Sequence, residues 1–129
     1  MSFTAKTTVH SIFTAPNTGI FTACQFDYTF LPGIALPLVN PFMIVADVTI
    51  MMVAVSDPGD HGGRVWAGKA AWELSQGLAF RTVNSGATIS LMSTAPSFDV
   101  LGTSGRVRVI PANSGGTWYT RMDLTIFQG

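Results

Sequence analysis

An all-β chain, built as an antiparallel β-sandwich or jelly roll of about eight strands, is what three features of this sequence predict. Apolar and polar residues alternate with period two in three long runs, clusters of Gly, Pro, Asn and Ser recur between such runs, and one segment alone suits a helix. At 129 residues the chain suits a single domain, residues 1–129, with a sizeable core.

The elements follow in order. Phe3 to Thr14 reads as a weak strand with Phe3, Ala5, Val9 and Phe13 on one parity. It is either part of the sandwich or, as residues 2–14, an N-terminal arm or exchanged strand that adds to a neighbour's sheet edge. Ala15-Pro16-Asn17-Thr18-Gly19 is a turn. From Ile20 the even positions Ile20, Thr22, Cys24, Phe26, Tyr28 and Phe30 form the inner face of a half-buried strand, opposite Gln25, Asp27 and Thr29. Three prolines exclude a central strand from Pro32 to Pro41, yet that segment is largely apolar. It serves as an interaction surface or folds back over one end of the sandwich.

Phe42 to Val55 reads as a central strand buried on both faces. Asp47, Thr49 and the preceding prolines interrupt the stretch too often for a membrane helix, which needs about 20 apolar residues. After a turn at Ser56 to Asp60, Trp66, Gly68, Ala70, Trp72 and Leu74 alternate with Ala67, Lys69, Ala71 and Glu73. Lys69 to Gly77 also has helical propensity, but the alternation runs on through Leu78 and Phe80 and favours a strand. A turn at Asn84-Ser85-Gly86 then precedes short strands at Ala87 to Ser93, Phe98 to Leu101 and Arg106 to Ile110, with turns at Thr103-Ser104-Gly105 and Asn113 to Gly116. Trp118, Thr120, Met122, Leu124 and Ile126 make the inner face of the last strand.

Charge is scarce. Seven Lys plus Arg and seven Asp plus Glu give a formal net charge of zero, and charged residues are 11% of the chain while hydrophobic ones are 47%. Soluble domains usually devote about a quarter of their residues to charge. A compact monomer of this mass exposes roughly 6,600 Å², which leaves about one charge per 470 Å². Part of the surface is therefore expected to lie against other protein. The balance creates no field that would gather nucleic acid, anionic lipid or acidic substrate. A lone cysteine, Cys24, precludes an intrachain disulfide and reads as a buried, inert thiol. Met1 to Lys6 lacks the basic and apolar regions of a secretory signal, so the mature chain is expected to start there.

Catalytic chemistry finds few groups. His10 and His61 are the two imidazoles, and Asp57, Asp60 and His61 are the densest polar cluster. They lack the ligand count and spacing of a metal loop, and the surrounding Gly and Pro mark a solvated turn. Neither Thr103-Ser104-Gly105 nor Asn84-Ser85-Gly86 has the Gly-x-Ser-x-Gly form of a nucleophile elbow, and no phosphate loop, dinucleotide fingerprint or zinc spacing occurs. The chain is expected to be no enzyme and to use no cofactor. Arg106 and Arg108 share a strand face, which Arg121 could join, and suit an anion, a solvated face or half of an intersubunit ion pair. Without interleaved aromatics they make no single-strand platform. Trp66, Trp72 and Trp118 with Tyr119 could line a sugar site, but the tryptophans share the inner parity of their strands and read as core.

From Trp66 to Gln128 the order of features includes Ala70-Ala71-Trp72-Glu73-Leu74, Phe80-Arg81, Arg106-Val107-Arg108-Val109, the small-residue turn Ala112 to Gly116, and Thr117-Trp118-Tyr119 running on to Ile126. This order resembles the β-sandwich modules of tailed-bacteriophage virion proteins, found in tail fibres and in capsid decoration or cement proteins. The resemblance covers half the chain. It implies a jelly-roll-like fold, a homotrimer, no catalytic residues, and a virion protein made in the host cytoplasm. Combined with the low charge, it favours a capsid decoration or cement protein whose partner is the major capsid protein or another virion protein. The alternative is a tail-fibre or tail-tip module that binds a host receptor or glycan through exposed loop aromatics and the Pro32 to Pro41 loop rather than a sheet face. The apolar excess before residue 56 places the expected interface at Phe3, Val9, Phe13, Ile34, Leu36, Leu38, Val39 and Phe42.

Overall fold

The computed structural model describes residues 3–15, 20–35, 38, 41–54, 63–74, 78–90, 96–109 and 116–128; side chains at 3, 15, 53–54, 63–64 and 78–90 are outside the description. Eight strands are present among them: β1 (Phe3–Ala15), β2 (Phe21–Asp27), β3 (Phe42–Ala54), β4 (Gly63–Leu74), β5 (Leu78–Ser90), β6 (Ser97–Leu101), β7 (Ser104–Val109) and β8 (Gly116–Gln128). They form a five-stranded sheet in the order β1-β8-β3-β4-β5 and a three-stranded sheet in the order β2-β7-β6, with every pairing antiparallel. β3, β4 and β5 stay side by side as a meander, so the two layers make a sandwich.

Alternation decides what lies between the layers. Ile44, Ala46, Val48, Ile50 and Met52 of β3 are buried beside Trp118, Thr120, Met122, Leu124 and Ile126 of β8 and Trp66, Ala70 and Trp72 of β4. Cys24, Phe26, Val107 and Val109 close the core from the smaller sheet. At its centre Phe26 meets Trp72 edge-on, with ring centroids 4.9 Å apart, and the Trp72 indole N–H donates to the Asp99 carbonyl at 3.2 Å. Such an aromatic contact adds about 0.5–1.5 kcal/mol beyond the area it buries. Gly105 of β7 passes directly over this pair, where a Cβ would collide with the Phe26 ring and lie 2.9 Å from Trp72. The three tryptophans are thus core residues, as their parity predicts.

Several local expectations change. β3 is central, but one of its faces is buried and the other, from Met43 to Met51, is exposed or half-exposed. Its outward residues include Met, Val and Thr, so the run reads as continuously apolar although only one side is covered. The strand that carries the alternation from Trp66 begins at Gly63 and ends at Leu74, which pairs with Leu78. Asn84-Ser85-Gly86, expected to be a turn, lies inside β5, where the pairing slips between Ala67↔Ala87 and Lys69↔Asn84. Glycine within a strand signals a bulge as well as a turn. In β2 the pairing also slips, between Thr22 and Cys24, which turns both Ala23 and Cys24 inward. Ile20 and Phe30, expected on the inner face, are 52% and 76% exposed; both lie outside β2, and Phe30 turns back to bridge Asp27.

The segment after β2 folds back onto the core. Leu31 is buried, and Ile34 and Leu38 pack against it. Gly33 has φ 73° and Gly102, in the turn between β6 and β7, has φ 60°; both angles favour glycine.

Candidate protein interface

The outer face of the larger sheet is a set of cross-strand rows. Ile12, Tyr119, Met51 and Val65 form one row across β1, β8, β3 and β4, and Phe127 beside Met43 forms the apolar part of another near the far end. Between them runs Thr8, Asp123, Asp47 and Lys69. The two facing carboxylates would repel, but each has its own cation: Lys69 lies 3.4 Å from Asp47, and Arg121 donates to Asp123 at 3.0 Å. The Thr8 hydroxyl donates to the same Asp123 oxygen at 2.7 Å. These pairs are about half exposed, so they add little stability and chiefly neutralise the row. Arg121 therefore belongs to this sheet and does not join Arg106 and Arg108.

Those two arginines occupy the outer face of the smaller sheet. Arg106 grips Asp99 with Nε and Nη2, at 2.8 and 2.7 Å, and Arg108 stands 4.0 Å from the same carboxylate. Hydrogen bonding to Asp99 holds the Arg106 guanidinium above its ordinary value. Asp99 was not singled out by sequence reasoning. Its signal is the hairpin register: β6 and β7 pair Asp99 with Arg106 across the turn at Gly102.

Between the free sides of β1 and β2 lie two adjoining grooves of about 390 Å³ each, which share His10 and Gln25. Ser11 and Thr22 line one, while Phe30 and Pro32 line the other. Asp27 also faces the second groove. Its carboxylate accepts the Thr29 hydroxyl at 2.6 Å and the Thr29 N–H at 2.9 Å, and the hydroxyl bond chiefly holds it below the usual carboxylate range. Cys24 is buried, and desolvation pushes its thiol up to about 11.

The expected interface residues are dispersed. Phe42 is in the core, and Val9, Ile34 and Leu38 pack against it. Phe13 is 41% exposed and stacks on Phe21 at 5.0 Å. The Phe3 side chain, Leu36 and Val39 lie outside the described residues, as do Asp57, Asp60 and His61. Among the described residues no three His, Cys, Asp or Glu side chains gather to hold a metal ion, and no helix is long and apolar enough to cross a membrane. Sequence reasoning missed Ile12, Met43, Met51 and Phe127, which alternation could have placed on the outer face.

The structure defines a two-layer antiparallel β-sandwich whose larger sheet carries apolar rows and a charge-neutralised polar row on its outer face. No protein-family model and no curated protein matches the chain. Among solved structures it is similar to the tailspike protein of Acinetobacter baumannii phage AM24, with a TM-score of 0.61 and 8% sequence identity. The match covers 95% of this chain and 26% of that one, so the chain spans about a quarter of the tailspike's length. At this identity the likeness is one of fold.

Proposed function

We propose that the chain is a noncatalytic structural protein of a phage virion, acting as a capsid decoration or cement protein. The observation that carries the phage reading is the likeness of nearly the whole chain to part of a phage tailspike. The scarcity of charge and the apolar rows on the larger sheet support a role in covering other protein. In that role the chain is made in the host cytoplasm and assembles onto the major capsid protein or another virion protein, without cofactor, nucleic acid or membrane. Apolar contact between neighbours then adds the interface area that strengthens the shell. The family resemblance implies three copies per assembly, whereas the long, regular edge of β1 suits a pair. Phe3, Val9, Phe13, Ile34, Leu36, Leu38 and Val39 are the interface residues proposed for attachment, while Phe42 is buried in the core.

A tail-tip module that binds a host-surface glycan is the second reading. Phe30 favours it, because this 76% exposed ring borders the groove that contains His10, Gln25 and Asp27. An apolar platform beside hydrogen-bonding groups suits a sugar ring. Incubating the purified chain with phage heads, with phage tails and with a glycan array separates the readings. Saturable binding to heads is expected; binding to a defined sugar moves the role to the tail tip, and binding to none of the three contradicts both.

A further inference from the structure

The four sheet edges differ in how well they are protected. β5 has three slips in its pairing with β4, β2 has seven residues and a bulge, and β6 has five residues. Irregular and short edges resist further strand addition. β1 has neither protection: its thirteen residues pair with β8 without a slip, and they include no proline and a single lysine. At about 3.4 Å per residue this is an edge of roughly 44 Å. Among the described residues β1 pairs with β8 alone; the Thr7 hydroxyl donates to the Pro32 carbonyl, so the segment after β2 touches this strand at one point, and beyond it grooves open along Thr8, His10 and Ser11.

We propose that this edge binds β1 of a second copy of the chain, antiparallel, to join the two five-stranded sheets into one. The occupant follows from the strand's own register. Antiparallel pairing places opposite residues on the same face, so a two-fold axis at the midpoint, Val9, pairs every residue of β1 and keeps each sheet face continuous. It sets Lys6 opposite Ile12 of the second copy and His10 opposite Thr8. Sliding by two residues shortens the overlap and brings Lys6 opposite His10 in one direction, or His10 opposite His10 in the other. The longest register is therefore also the one that avoids facing basic groups. It covers Ile12, the 70% exposed residue of β1, with the aliphatic stem of Lys6. Both copies use the same edge, so the contact is isologous and closes as a pair.

The register makes the sign of charge at position 12 decisive. Ile12→Lys faces Lys6 twice across the axis, whereas Ile12→Glu creates two Glu–Lys pairs, and both substitutions are at an exposed site. Sedimentation equilibrium of the full chain, with circular dichroism confirming the folded state of each variant, reads the effect. The unsubstituted chain is expected at twice its 13.7 kDa mass, Ile12→Glu to remain paired, and Ile12→Lys to dissociate at least tenfold more readily than Ile12→Glu. A monomer at micromolar concentration, a three-copy mass, or equal behaviour of the two variants would overturn the proposal.

Discussion

Gly105 occupies a place where two aromatic rings leave no room for a side chain. Adding one methyl group as Gly105→Ala must displace the Phe26 ring, whose movement is limited by Trp72 beside it. Overpacking of this kind costs about 1–3 kcal/mol, so urea unfolding is expected to show a lower midpoint with an unchanged slope. An unchanged midpoint would mean that the rings yield freely. Cys24 is the second residue with a direct readout. Its thiol, pushed up to about 11 by burial, is neutral at pH 8, and alkylation there is expected to be slow in the folded protein and fast in denaturant. Labelling of the folded chain at the free-thiol rate would contradict the burial. The inward tryptophans were legible because the alternation survives in β4 and β8, and Cys24 because it lies on the regular side of the slip in β2. Gly105 was not, since the crossing of β7 over Phe26 and Trp72 depends on how two distant strands stack.

At the scale of elements, strands were easier to read than the events that join or bend them. β8 was legible nearly whole, because thirteen residues alternate without interruption. The β4–β5 hairpin was misplaced because Asn84-Ser85-Gly86 can mark either a turn or a bulge, and pairing with β4 makes it a bulge. β2 shows the same limit: one extra residue at Ala23 changes the parity, which a fixed period cannot represent. At its end, the turn after β2 depends on Asp27 and Thr29. The Asp27 carboxyl is held below its ordinary value, so its contribution is present at neutral pH and is lost as acidification protonates it. Asp27→Asn is therefore expected to flatten the acid limb of a stability–pH curve, and an unchanged limb would assign that dependence to other groups.

For the whole molecule, the sparse charge has a structural counterpart. The accessible surface of 6986 Å² is close to the roughly 6,600 Å² expected for a compact monomer of this mass. Among the described residues, the long regular edge of β1 and the apolar rows that cross β8 and β3 lie on the outside. The distribution of apolar residues places the expected hidden surface in the N-terminal strands and the Pro32 to Pro41 loop. Phe42 is buried in the chain's own core and Ile34 and Leu38, partly buried, pack against it, because an apolar loop near the open end of a sandwich can cover that end as readily as it can meet a partner. Hydrogen exchange across a range of protein concentrations tests most directly whether β1 is the surface that other protein covers. Amides in residues 3–15 are expected to gain protection as concentration rises while those of β5 do not; exchange in β1 that is independent of concentration would contradict the account.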